Sequence, residues 1–195
     1  MAKKSQLTTS EHLDYEEYKR FLDCLHADGK YKWEMYARVS FFTACRVSDV
    51  IQFRWKDLLN KTSINVVEKK TKKARNIPLN PSVQKKFREL YELCGRPDMK
   101  DFILPSFDPE KPVTIQYINQ RLKAFKTKYK LKIDHFSTHT FRKTFGRYVY
   151  ESQNRSAESL LLLNKILNHT SIQTTKTYIG ITQSEINNIF NSIDV

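Results

Sequence analysis

Residues 166–180 read ILNHTSIQTTKTYIG: a histidine (His169), a run of hydroxyl and amide side chains, then a tyrosine (Tyr178) nine positions on. A tyrosine phenol becomes a nucleophile only where one group takes its proton and others stabilise the charge it creates. Candidate partners stand upstream. His139 and Arg142 are three apart in STHTFRKTFGRYVYE, residues 137–151, which puts both on one helix face. A half-buried guanidinium on a mostly apolar helix needs an anion, whereas His139 taken alone also fits a satisfied core or cap histidine. Arg46, in TACRVSDVIQFRWKDL, falls just before a short helix expected to be capped by Ser48 and to run to Ile51 or Phe53. Free backbone N–H groups at such a helix start favour an anion. By itself Arg46 reads first as a solvated surface arginine or a partner for Asp49. Lys69, Lys70, Lys72 and Lys73 place four lysines in five positions, with Arg75 just after. Charges so close repel one another unless they face an anion; alternatively they keep a sheet edge from pairing.

Composition narrows the partner. The chain has 195 residues, enough for one domain with a real core. Its 34 basic and 21 acidic residues leave a net charge of +13, which points to nucleic acid ahead of an anionic membrane or an acidic protein. The three cysteines, Cys24, Cys45 and Cys94, form no CxxC pair and cannot all pair with one another. A reducing cytosol is therefore expected, with neither a disulfide framework nor a zinc site. No apolar run approaches the length that spans a bilayer, and the basic start MAKKSQLTTS lacks the apolar stretch of a signal peptide. No Walker loop, HExxH motif or GxSxG motif is present.

The elements that must carry these residues are mostly helical. Residues 1–9 are expected to be a disordered tail. A first helix spans Ser10–Leu25, with Tyr18, Phe21, Leu22 and Leu25 on one stripe and acids in its early turns. A second spans Lys32–Thr43. Residues 63–68 and 75–79 read as two strands joined by KKTKKA, with Pro78 near a strand end. Further helices cover Pro81–Leu93 and Thr114–Tyr129. The latter carries Arg121, Lys123, Lys126 and Lys128, and Lys130 and Lys132 follow it; this second basic cluster could line a duplex or be a solvated face. Residues 137–151 form a helix capped by Ser137 or Thr138, with Phe141, Phe145, Tyr148 and Val149 on its buried side. SAESLLLLNKIL is apolar on most sides and should be deeply packed. Thr170-Ser171 caps a helix ending near Tyr178. Residues 182–193 look like a last amphipathic helix suited to docking on this or a neighbouring domain.

Taken together, the motifs resemble those of the tyrosine recombinases, the phage-integrase family, across residues 10–195. TACRVSDVIQFRW is similar to the first arginine motif, usually of Gly-Leu-Arg-x-Ser-Glu type, and maps onto Arg46. VVEKKTKKARNIPL is similar to the β-hairpin bearing the catalytic lysine; counting back eight from Pro78 selects Lys70. HTFR is similar to the His-x-x-Arg box (His139, Arg142). LNHTSIQTTKTYIG is similar to the Leu-Gly-His-x-Ser-x-x-Thr-Thr-x-x-Tyr box (His169, Tyr178). The chain departs from the pattern at Ala44 and Cys45, in place of glycine and leucine, at Asn168 in place of glycine, and at Asp49 where glutamate is commoner. None of these is expected to touch the chemistry directly.

The resemblance implies a mainly α fold with a small antiparallel hairpin, the α+β catalytic-domain fold. It implies site-specific DNA cleavage and rejoining through a 3′-phosphotyrosyl intermediate. Arg46, Arg142 and His169 would hold the phosphate oxygens, at about 3–4 kcal/mol for each preorganised donor. Lys70 would be the general acid, Tyr178 the nucleophile, and His139 a base or phosphate ligand. Lys69, Lys72, Lys73, Arg75, Arg121, Lys123, Lys126 and Lys128 would meet the DNA backbone. Neither metal, ATP nor other cofactor is expected. The expected partner is double-stranded DNA, held by four protomers in a ring, in the bacterial cytoplasm with no membrane association. The usual core-binding and arm-binding domains are not expected before helix 1, so the chain reads as an excised catalytic domain or as a short member like those that invert promoter segments. Two other readings remain: a type IB topoisomerase with a similar residue set, and a basic DNA-binding regulator without turnover.

Overall fold

The computed structural model describes residues 11–108, 110–181 and 191. The expected tail at 1–9 and the expected helix at 182–193, apart from residue 191, lie outside them. Nine helices and one hairpin are described: α1 Tyr15–Ala27, α2 Tyr31–Thr43, α3 Val47–Val50, α4 Trp55–Leu58, β1 Ser63–Val67, β2 Ala74–Pro78, α5 Pro81–Leu93, α6 Ile115–Tyr129, α7 Thr140–Ser152, α8 Ala157–Leu167 and α9 Ile172–Tyr178.

The stripe Tyr18, Phe21, Leu22 and Leu25 of α1 is buried as its spacing predicts. The helix starts later than expected because the chain before it is engaged elsewhere. The Leu13 N–H donates to Thr144 Oγ1 at 2.9 Å, and the Asp134 N–H donates to the Glu11 carboxylate at 2.9 Å. Segment 11–14 is therefore strapped across the loop before α7 and α7 itself. Helix α2 lies at the centre, against α1, α3, α5 and α7. Its Glu34 is buried, and His26 and Arg38, each at 2.8 Å, pair with it, which satisfies a charge that would be costly alone. Phe136 meets Phe21 and Phe141 edge-on, with the Phe21 and Phe136 centroids 5.3 Å apart, while Phe21 and Phe141 stack on each other between α1 and α7.

Strands β1 and β2 pair antiparallel, with Ser63 opposite Pro78 and Val67 opposite Ala74. Ile64 and Val66 face the core, while Val67 is exposed. Helix α5 has its expected bounds because Asn80 caps it, accepting from the Val83 N–H at 3.0 Å, and Pro81 fits the first turn, where its missing N–H costs nothing.

Two expectations are corrected. Helix α7 begins at Thr140, because Ser137–His139 form a turn in which the Thr140 N–H bonds the Ser137 carbonyl and the Ser137 N–H bonds Thr140 Oγ1. Its buried face is Phe141, Arg142, Lys143, Thr144 and Gly146, with Tyr148 exposed. Helix α8 is not enclosed on most sides. It packs between α7 and α9 through Ser159, Leu160, Leu163 and Leu167, leaving Leu161 and Leu162 about half exposed, at 50% and 48%. Leu160, Leu163 and Ile179 form a second, small core flanked by Phe145, Val149, Tyr150, Tyr178 and Ile181. The chemistry-bearing residues lie where this small core meets the large one.

Candidate active site

Helix α2 ends on Ala44 in the left-handed conformation (φ 48°, ψ 28°), and the chain then turns at Arg46 into α3. Arg46 itself, in extended conformation, occupies the cap position expected for Ser48. Its guanidinium donates to the carboxylate of Glu68 at 2.6 Å. Glu68 lies just past β1, is fully buried, and also accepts from Thr71 Oγ1 (2.6 Å), Asn168 Nδ2 (3.1 Å) and Arg75 (3.4 Å). Burial pushes the Glu68 carboxyl up, but the hydrogen bonds from Thr71, Asn168 and Arg46 and the Arg46 charge outweigh it and hold it at about 2. Glu68 thus anchors the Arg46 guanidinium, and it is the residue sequence reading missed. The available signal was one acid among the cations of VVEKKTKKAR, between two residues later assigned to the site.

Arg142 is 3% exposed. It donates to the Ala44 carbonyl and the Leu167 carbonyl, each at 2.6 Å, one at the end of α2 and one at the end of α8. Those are the negative ends of two helix dipoles, where a cation is favoured. The anion expected from the sequence is thus partly supplied by backbone carbonyls. Burial pushes the Arg142 pKa down, and the Arg46 charge adds to that.

Asn168 follows α8 in the left-handed conformation (φ 52°, ψ 49°), and His169 comes next. His169 Nδ1 lies 3.0 Å from Thr175 Oγ1, and Thr175 Oγ1 accepts from Asn164 Nδ2 at 3.1 Å. In the tautomer where the Thr175 hydroxyl donates to Nδ1, Nε2 carries the imidazole proton and can donate. Burial and the charges of Arg142 and Arg46 push the His169 pKa down to about 4, so the ring is neutral at neutral pH. Ser171 caps α9 by accepting from the Thr174 N–H at 3.1 Å, and α9 delivers Tyr178 edge-on to His169, with ring centroids 4.9 Å apart. Arg142 and Lys143 lie 6.0 Å and 5.3 Å from the centroid of the Tyr178 ring. The Tyr178 hydroxyl is buried beside the Arg142 guanidinium. Its burial pushes its pKa up, while Arg142 and Arg46 oppose that through their charges. His139 caps α7 one turn before Arg142 and Lys143; burial first, then the charges of Arg142, Lys143 and Arg46, push its pKa down.

Lys70 is exposed in the hairpin turn between two anchored neighbours. The Lys69 N–H donates to Asp49 Oδ1 at 2.9 Å, and Thr71 bonds Glu68 and Asn168. The structure thus brings Arg46, His139, Arg142, His169 and Tyr178 to one place, with the Lys70 turn docked against it. Lys69 and Lys72 are exposed beside Lys70; Lys73 reaches Asn168 Oδ1 at 2.9 Å, and Arg75 is spent on Glu68 and the Thr43 carbonyl. In the second basic cluster Lys123 is exposed. Lys126 donates to the Asp134 carbonyl at 2.9 Å, Lys128 pairs with Asp28, and Arg121 stacks on Phe125. Among the described residues no helix is long and apolar enough to cross a membrane.

A cluster of two arginines, two histidines and a tyrosine, with a lysine on an adjoining turn, can grip a phosphate and attack it. A model of the phage integrase family matches residues 11–185. The probable integrase/recombinase YoeC of Bacillus subtilis (strain 168) is 32% identical over 143 residues, 71% of this chain and 72% of that protein. The tyrosine recombinase XerC of Caldanaerobacter subterraneus subsp. tengcongensis is 25% identical over 186 residues, 92% of this chain but 50% of that one. Among solved structures, the XerH recombinase bound to its difH substrate after cleavage matches with a TM-score of 0.69 at 18% identity, over 96% of this chain and 55% of that one. The lambda integrase catalytic core matches with a TM-score of 0.59 at 18% identity, over 82% of this chain and 91% of that one. At such identities these two matches carry the fold. The chain spans about half the length of XerC and of XerH.

Proposed function

We propose that this chain, which belongs to the phage integrase family of tyrosine recombinases, a family of DNA strand-transferring enzymes, cleaves and rejoins double-stranded DNA with Tyr178 as its nucleophile. The observation that carries the reading is the convergence on Tyr178. His169 packs against its ring, Arg142 faces it, and Arg46, held by Glu68, is near enough for its charge to act on the phenol. Arg46, Arg142 and the Nε2 proton of His169 bind the non-bridging oxygens of the scissile phosphate, where negative charge grows in the transition state. The Tyr178 oxygen forms a bond to phosphorus; the bond to the 5′-oxygen breaks, and Lys70 gives that oxygen a proton. His139, neutral and able to accept, takes the phenol proton or holds the phosphate. A 5′-hydroxyl from a partner strand reverses the step, so the energy of the ester is conserved and the product is a rejoined strand.

Residues 10–195 act as the catalytic domain. Lys69, Lys72, Lys73 and Arg75, together with Arg121, Lys123, Lys126 and Lys128, meet the phosphate backbone. Several structural relatives were solved bound to DNA, XerH on difH among them, which supports DNA as the partner. Assembly is a ring of four protomers on paired sites, joined through residues 182–193, since a head-to-tail interface of that kind closes on itself. The cell interior is the place of action. The test is a covalent trap: incubate the protein with duplex DNA nicked just beyond candidate scissile phosphates, quench with detergent, and separate on a denaturing gel. An adduct that vanishes in Tyr178→Phe is expected. An adduct persisting in that variant would overturn Tyr178 as the nucleophile.

A further inference from the structure

The residue that breaks the motif before His169 does something a glycine cannot. Asn168 sits at the end of α8 with φ 52°, a conformation glycine adopts freely and asparagine tolerates. Its side chain reaches across to the hairpin on both sides of Lys70. Nδ2 donates to the Glu68 carboxylate and to Thr71 Oγ1, both at 3.1 Å, and Oδ1 accepts from Lys73 Nζ at 2.9 Å. The Thr71 hydroxyl donates in turn to Glu68 at 2.6 Å. Without touching the chemistry directly, Asn168 thus ties the turn carrying Lys70 to the helix end carrying His169.

We propose that Asn168 is a positioning residue that latches the hairpin turn so that Lys70 meets the leaving 5′-oxygen. The inference rests on the function proposed above. An exposed turn rich in like charges would otherwise open readily. A flexible lysine delivers its proton only from a restricted set of positions, and small displacements of a catalytic group are costly in rate. In the step concerned, the Tyr178 oxygen–phosphorus bond forms and the phosphorus–O5′ bond breaks. The bonding pair stays on O5′, and the Lys70 ammonium supplies the proton there, leaving a neutral amine. Asn168 touches none of these atoms; it acts through the turn.

The test exploits the leaving group. Replacing the bridging 5′-oxygen of the nicked duplex by sulfur gives a thiolate, which leaves without a proton because a thiol is far more acidic than an alcohol. Asn168→Gly keeps the left-handed cap and removes the latch. It is expected to slow adduct formation on the oxygen substrate about tenfold, the size of one or two lost hydrogen bonds, and to match the wild-type chain on the sulfur substrate. Thr71→Val, which loses the Asn168–Thr71 and Thr71–Glu68 bonds but leaves Asn168 on Glu68 and Lys73, should show a selective defect of the same kind, and the double variant less than the product of the two. Lys70→Ala should be rescued by sulfur too. Equal slowing of Asn168→Gly on both substrates, or no slowing on oxygen, would overturn the latch while leaving the proposed function in place. Failure of sulfur to rescue Lys70→Ala, or no adduct from the wild-type chain on either substrate, would overturn the reading of the site and the latch with it.

Discussion

The two arginines proposed to share one task in the reaction do not share one in the fold. Arg142 holds two buried carbonyls, at Ala44 and Leu167, and truncation leaves both without a donor, at about 1–3 kcal/mol each. Arg46 binds Glu68, which keeps Thr71, Asn168 and Arg75 when Arg46 is lost. Arg46→Ala and Arg142→Ala are both expected to lose at least 10²–10³-fold in adduct formation with DNA binding nearly intact, but only Arg142→Ala should markedly lower the urea midpoint. Loss of binding in step with cleavage would make them simple phosphate contacts. The titrating residues predict acid sensitivity of one sign. His169 falls from an ordinary 6.5 to about 4, so the unfolded chain binds the proton that the folded chain refuses, and stability drops as pH falls from about 6.5 towards 4. Glu68 falls from 4.5 to about 2, so its contribution is present above 4.5 and lost as pH falls towards 2. Urea titrations of the chain and of His169→Gln at successive pH values check this: the variant should lose the His169 part of the upper window, leaving what the depressed His139 contributes, and keep the lower.

Elements set how Tyr178 is aimed. Gly146 of α7 faces the residue after the tyrosine, and a Cβ there would stand 2.8 Å from Ile179 Cγ2. Alanine normally stabilises a helix interior by about 1 kcal/mol over glycine. Here overpacking of about 1–3 kcal/mol opposes it, and the strain is relieved by pushing the end of α9 outward. Gly146→Ala is expected to cut adduct formation about tenfold or more while changing the thermal midpoint little; unchanged adduct formation would mean the α7–α9 contact does not aim the tyrosine. Ala44 makes the opposite case: φ 48° is a conformation alanine dislikes, so Ala44→Gly should gain about 1 kcal/mol in urea unfolding. These positions also show what the sequence could carry. Periodicity and caps located α5, α6 and the hairpin because their signals are local, as in Asn80-Pro81. The motifs singled out Arg46, Arg142, His169 and Tyr178, which the fold brings together, because the chemistry they would perform needs specific side chains. The start of α1, the open face of α8 and the Glu68–Asn168 link depend on which elements meet. No local pattern encodes that, and an acid inside a lysine run looks solvated until its partners are known.

For the whole molecule the net charge of +13 predicts steep salt dependence, because each phosphate neutralised by a lysine or arginine releases condensed counterions. Between about 50 and 200 mM salt, contact with six to ten phosphates costs roughly 10³–10⁵ in affinity, and a flat response would count against a phosphate-tracking surface. The cations should not contribute alike. Lys69 and Lys72 are exposed on the turn that carries Lys70, so each changed to glutamine should reduce the slope of log affinity against log salt by about 0.9. Lys126 and Lys128 are already bound to the Asp134 carbonyl and to Asp28. To meet a phosphate each must give up an intrachain partner, and the free energy of that exchange offsets part of the gain. Their glutamine variants should therefore change the slope less, despite removing the same formal charge. Slopes measured by fluorescence anisotropy on one duplex separate the two groups. Equal slope changes at the hairpin and on α6 would mean that the whole basic surface, rather than the side bearing the lysine turn, tracks the DNA.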